Sequence, residues 1–297
     1  MTGIYKTPEG QRLVEKQYRK ILASWPVVNR QFHVPTRLGE TFVIECGEAS
    51  APPLLLLHGS LANSASWFGD VTLWAQSFRV FAIDVIGEPG LSASSRPSLH
   101  SDAYALWLDD VMSALSLTHA SFVGVSLGGW LVLDYATRRP ARVDRIAVVC
   151  PGGVGRQKLA ILFKVLFLSL CGSWGKRKLR ETVLGPKAAG TITPAMRNFA
   201  EFLALIHKNT RPRTERLPVF SDAALAQLTK PVLVIVGARD ALLDSADTRR
   251  RIQSLLSNAE VLYLHDGGHF IPGQGPTINQ FLSCDPSTAP SSTSPAG

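Results

Sequence analysis

The stretch Gly124-Val125-Ser126-Leu127-Gly128 decides the fold. It fits the pattern Gly-x-Ser-x-Gly, which is weak alone because glycine and serine are common. Its surroundings give it weight. The apolar run 121–125 reads as a buried strand, and residues 127–138 read as a helix ended by Pro140. A strand-to-helix turn this sharp crowds the backbone on both sides of the serine. Glycine two residues before and two after relieves that crowding. The serine is then expected at a strained position above the strand ends, hydroxyl exposed. The amides that open the following helix point at any negative charge that develops there.

Outward from this turn, strand and helix patterns alternate. Residues 32–34, 41–46, 54–57, 80–86, 145–149, 232–236 and 261–264 read as further strands, several apolar throughout, as in strands buried on both faces. Helices are expected over 102–117, with Ser101 as N-cap, and over 244–256. A polar helix is expected over 9–25, stopped by Pro26. Such alternation implies a mostly parallel sheet with right-handed crossovers. The expected organisation is an N-terminal helical segment at 1–30 and an α/β core at 31–151 and 226–284. A helical cap at 152–225 is inserted into that core, and a disordered Ser/Thr/Pro-rich tail follows at 285–297.

With these segments in order, the chain resembles the α/β-hydrolase superfamily, most closely its small carboxylesterases, lipase-like enzymes and carbon–carbon bond hydrolases. The resemblance runs from about Thr36 to Phe281 and is loose across the cap. It implies the α/β-hydrolase fold, an α/β architecture with a mostly parallel eight-stranded sheet flanked by helices. It also implies a serine nucleophile, Ser126, with an acid and a base following in the order Ser, Asp or Glu, His.

Asp240, in Gly237-Ala238-Arg239-Asp240, falls just beyond the strand 232–236, at the edge where ligands bind in α/β sheets. Asp244 is the alternative acid, but its place suits a cap on the next helix. His269, in Asp266-Gly267-Gly268-His269-Phe270, resembles the family's Gly-His-Phe turn. His265 is the alternative base, but it lies within or at the end of the last strand. The turn His58-Gly59-Ser60-Leu61 resembles the family's oxyanion turn. By resemblance, the N–H groups of Ser60 and Leu127 are the oxyanion donors, with Leu61 an alternative to Ser60. His58 itself reads as support for that turn. The segment from Asp84 to Ser92 resembles Asp-x-x-Gly-x-Gly-x-Ser, with Glu88-Pro89 as a local expansion. Asp84 reads as a holder of loops.

The resemblance implies hydrolysis of a small, largely apolar carboxylic ester through an acyl-enzyme, with no metal or organic cofactor. Thioester, lactone and carbon–carbon bond cleavage need the same triad and stay open, as does a non-catalytic small-molecule receptor on this fold. In the cap, the run 159–170 and the spacing of Phe199, Phe202, Leu203 and Ile206 read either as a roof over an apolar pocket or as packing against the core.

Bulk properties agree with an enzyme domain. The chain has 297 residues, 45% hydrophobic and 18% charged, a globular profile. The net charge of +8 admits nucleic acid or an anionic membrane as a partner. No zinc-finger spacing and no basic run interleaved with aromatics supports nucleic-acid binding. A solvated basic surface is the expectation, with membrane contact by basic cap residues such as Lys164, Lys176 and Arg177 a lesser one. Cys46, Cys150, Cys171 and Cys284 lie far apart and read as reduced thiols of a cytoplasmic protein. Residues 1–20 are polar and carry no secretory pattern.

Overall fold

The computed structural model describes residues 3–158 and 194–284. The expected apolar helix over 159–170 and the expected tail at 285–297 lie outside the described residues.

Eight strands form one sheet in the order β1-β2-β4-β3-β5-β6-β7-β8. They are β1 Asn29–Val34, β2 Thr41–Cys46, β3 Pro53–Leu57, β4 Arg79–Ile83, β5 Ala120–Val125, β6 Val143–Val149, β7 Val232–Gly237 and β8 Ala259–Leu264. β1 and β2 are antiparallel to their neighbours, and the remaining six run parallel. β3 and β7 are apolar throughout because helices and loops cover both faces, as a parallel sheet with crossovers requires. Two core clusters lie on opposite faces of the sheet. Alternate residues of β3 divide between them, Leu55 and Leu57 to one, Leu54 and Leu56 to the other.

Where sequence and structure part, a local bond explains it. The apolar run 80–86 is buried to its end, yet β4 stops at Ile83. Beyond it the Val85 N–H donates to His58 Nε2 at 2.9 Å instead of to a neighbouring strand. The helix expected over 102–117 is Ala103–Ala114. Ser116 takes a φ of 56°, and the Leu117 N–H returns to the Met112 carbonyl at 2.8 Å, which closes the helix early.

The first helix, Pro8–Ala23, opens on Thr7, whose hydroxyl accepts the Gly10 N–H at 3.0 Å, with Pro8 in the first turn. It buries Val14, Tyr18 and Leu22. Tyr18 stacks on Phe202 of the helix Pro194–Asn209, with ring centroids 6.0 Å apart. Phe202 and Ile206 are therefore packing residues against the N-terminal helix.

Candidate active site

Four loops leave the C-terminal ends of parallel strands and meet at one edge of the sheet. β5 delivers Ser126 directly into the helix Leu127–Arg138. Ser126 has φ 53° and ψ −108°, a conformation an L-residue adopts only when its surroundings hold it. They do so at three points. Its N–H donates to the Val149 carbonyl at 3.0 Å, and its own carbonyl accepts from Trp130 at 3.0 Å and Gly152 at 3.2 Å. The two flanking glycines are sterically required. A Cβ on Gly124 would lie 2.5 Å from the Gly128 carbonyl oxygen, and one on Gly128 would lie 1.9 Å from the Leu57 carbonyl oxygen.

The loops after β7 and β8 are joined backbone to backbone. The Ala238 N–H donates to the Leu264 carbonyl, and the Arg239 N–H to the Gly267 carbonyl, both at 2.8 Å. A Cβ on Gly237 would lie 2.4 Å from the Gly267 carbonyl, so only glycine permits this approach. The contact brings Asp240 to His269. Asp240 Oδ2 lies 2.7 Å from His269 Nδ1, and His269 Nε2 lies 3.1 Å from Ser126 Oγ. The other Asp240 oxygen accepts the N–H groups of Leu242 at 2.7 Å and Leu243 at 3.0 Å. Burial pushes the Asp240 carboxyl up. The hydrogen bond and charge of His269 and the two amides outweigh it and hold the group below the ordinary aspartate range.

The alternatives weighed on sequence fall elsewhere. Asp244 caps the helix Ser245–Leu255, accepting the Asp247 N–H at 3.1 Å. His265 is exposed beyond the end of β8 and packs edge-on against Tyr263. His58 is buried, with Nδ1 against the Gly59 carbonyl at 2.9 Å and Nε2 accepting from Val85, so both ring nitrogens are used. Burial lowers its pKa, in keeping with a neutral ring that supports the turn. Asp84 is fully buried. Its Oδ1 accepts from the Tyr18 hydroxyl and from the Ser64 N–H and hydroxyl, and its Oδ2 from the Leu91 N–H, all at 2.8 to 2.9 Å.

The Leu61 N–H is occupied, donating to Glu88 Oε2 at 2.8 Å. Among the described residues, the N–H groups of Ser60 and Leu127 have no hydrogen-bond partner.

Comparison with known proteins bears on the fold. A family model described as alpha/beta hydrolase fold matches residues 52–178, and one described as serine hydrolase (FSH1) matches 199–281. The chain is 29% identical over 266 residues to an uncharacterized carboxylesterase, nap, of Bacillus subtilis (strain 168), covering 88% of this chain and 87% of the relative. It is 28% identical over 270 residues to carboxylesterase YbfK of the same organism, covering 89% and 90%. The crystal structure of naproxen esterase from Bacillus subtilis superposes with a TM-score of 0.80 at 27% identity, covering 93% of this chain and 98% of that one. The chain has the α/β-hydrolase fold.

Two further features beside these residues carry no sequence signal. Cys150, the first residue after β6, is buried with a φ of 44°, and its thiol faces the Gly268 carbonyl at 3.8 Å. Its sulfur, an Asp240 oxygen and a His269 nitrogen lie within 4.8 Å of one another, a set that could ligate a metal ion. Asp240 and His269 hydrogen-bond to each other. Burial pushes the Cys150 thiol well above the ordinary range, and the Asp240 charge adds to this, so the sulfur is a neutral neighbour. The second feature is Lys158, whose ammonium donates to the Asp240 backbone carbonyl at 2.8 Å and ties its own segment to the loop that carries Asp240. Cys46, Cys150 and Cys284 are unpaired, and no helix among the described residues is long and apolar enough to cross a membrane.

Proposed function

We propose that the protein hydrolyses a small, largely apolar carboxylic ester through an acyl-enzyme, with Ser126 as nucleophile, His269 as base and Asp240 as the acid that orients it. The carrying observation is the continuous relay from Asp240 Oδ2 through His269 to Ser126 Oγ, with links of 2.7 and 3.1 Å. Asp240 fixes the proton on Nδ1, which leaves Nε2 free to accept the serine proton. As Oγ bonds to the ester carbonyl carbon, that proton moves to Nε2, and the Asp240 carboxylate stabilises the imidazolium. The carbonyl oxygen becomes an anion received by the N–H groups of Ser60 and Leu127. Collapse breaks the carbon–oxygen bond to the alcohol, which leaves with the proton from Nε2. Water then gives a proton to Nε2 and attacks the acyl carbon, and the second collapse returns the proton to Ser126 and frees the acid.

An apolar substrate is supported by the residues beside these groups. Leu61, Val125, Leu242 and Ile271 are partly buried hydrophobics that flank Ser60, Ser126, Asp240 and His269 in the chain. A carboxylic ester, rather than another acyl bond, is supported by the relatives named carboxylesterase, which match along most of the chain. A panel of p-nitrophenyl esters, acyl-CoA thioesters, lactones and dienoate diketones tests the reading. Turnover of short and medium p-nitrophenyl esters, lost in Ser126→Ala, is the expected result. Turnover of another member alone would overturn the ester assignment.

A further inference from the structure

We propose that Glu88 is a positioning residue for the oxyanion turn: its buried carboxylate holds the Leu61 N–H and so leaves the Ser60 N–H for the reacting carbonyl. This rests on the ester-hydrolase reading above.

The turn that carries Ser60 lies against the nucleophile, since a Cβ on Gly59 would come within 3.5 Å of the Ser126 Cβ. Leu61 follows with a φ of 56°, in the left-handed region that residues with a Cβ disfavour. Something must hold it there. The segments 58–64 and 84–92 are laced together by four connections. Val85 bonds His58, Ser64 bonds Asp84, Asn63 bonds the Pro89 carbonyl and Leu61 bonds Glu88. The first three bind the base of the turn, and among the described residues only Glu88 reaches its tip. It does so with a carboxyl group 1% exposed, which accepts the Leu61 N–H at 2.8 Å in a site without competing solvent.

Two consecutive amides of a tight turn compete for the same acceptors. With the Leu61 N–H bound to Glu88, the peptide plane that joins Ser60 to Leu61 is fixed. Ser60 keeps a donor that no described residue takes. Glu88 is in turn held from behind. Arg96 Nη2 lies 3.8 Å from Oε1, and Arg96 Nε donates to the Gly87 carbonyl at 2.7 Å. Burial pushes the Glu88 carboxyl up, against the pull of the Leu61 amide and of Arg96 and Arg213. Its one hydrogen-bonded oxygen goes to the oxyanion turn.

The test compares Glu88→Met, which keeps the bulk but lacks the carboxylate acceptor, with Glu88→Gln, whose amide oxygen can still accept from Leu61. Steady-state kinetics on p-nitrophenyl butyrate are normalised to active sites titrated with a fluorophosphonate. The backbone amides of Ser60 and Leu61 are followed in 1H–15N spectra. Loss of a whole oxyanion donor costs about 100- to 1,000-fold, so a misplaced one in Glu88→Met should lower kcat by about tenfold or more with KM nearly unchanged. Glu88→Gln should restore most of kcat, and the Leu61 amide proton should move upfield and exchange faster in Glu88→Met alone. Unchanged kcat per active site in Glu88→Met, or equal losses in both variants, would overturn the proposal. A wild-type protein without esterase activity would count against the ester reading instead. The Leu61 amide then decides the role of Glu88, and an amide insensitive to Glu88→Met overturns it.

Discussion

Asp240 holds His269 with one carboxylate oxygen and its own loop with the other. Oδ2 lies 2.7 Å from His269 Nδ1, and Oδ1 accepts the amides of Leu242 and Leu243. The carboxylate is thus held by its own loop as well as by His269, and the two contacts can be separated by substitution.

Asp240→Asn should keep the loop and lose the reaction. An asparagine carbonyl can still accept from Leu242 and Leu243, but its amide turned toward His269 favours the wrong tautomer. A drop in kcat of about 10⁴-fold is expected, the size seen when a triad aspartate is amidated in a serine protease. KM should change little. A loss below tenfold would remove Asp240 from the relay.

The same carboxylate should leave a mark on acid stability. Its folded pKa is depressed, so its ionisation stabilises the native state above the unfolded value of about 3.9. That contribution is constant near neutrality and is lost as pH falls through the folded pKa. Urea unfolding of wild type and Asp240→Asn should therefore show a stability gap that is steady from about pH 7 to 5 and narrows below about pH 4. A gap independent of pH would contradict the account.

Asp84 and Tyr18 should matter for folding and hardly for turnover. Tyr18→Phe removes one of four donors to a buried carboxylate. It should cost about 1–3 kcal/mol in urea unfolding, with kcat per active site unchanged. Asp84→Ala strands all four donors and should yield little folded protein. A Tyr18→Phe variant with normal stability but reduced kcat would reverse this assignment.

The thiols should divide by burial. Burial pushes Cys46 up to about 11 and Cys150 higher still, whereas Cys284 is exposed. Iodoacetamide at about pH 8, close to the free thiol pKa, should alkylate Cys284 and spare Cys46 and Cys150 until urea is added. Peptide mass mapping reads this directly. Rapid native labelling of Cys150 would mean that the space behind Asp240 and His269 opens in solution.

The parts legible in the sequence are those where backbone geometry demands a residue type. Gly124 and Gly128 betray the turn because no side chain fits there, and the apolar runs betray the sheet because both of its faces are covered. Asp240 and His269 could be placed because each follows a strand end in a fixed chain order. Burial alone misled at residues 84–86, where an apolar run stays inside the protein after its strand has ended. Contacts made across the fold left no pattern. Nothing near Leu61 foretells its left-handed backbone, and nothing near Glu88 foretells that its carboxylate reaches a turn 27 residues earlier. Cys150 touches the candidate acid and base only because β6 lies between β5 and β7.

The central claim is that Ser126 is a nucleophile activated by His269. Labelling with a fluorophosphonate probe, followed by peptide mass spectrometry, tests it most directly. One modified residue, Ser126, is expected in the native protein, with labelling abolished in Ser126→Ala and strongly slowed in His269→Ala. An unlabelled native protein, or equal labelling of wild type and Ser126→Ala, would contradict it.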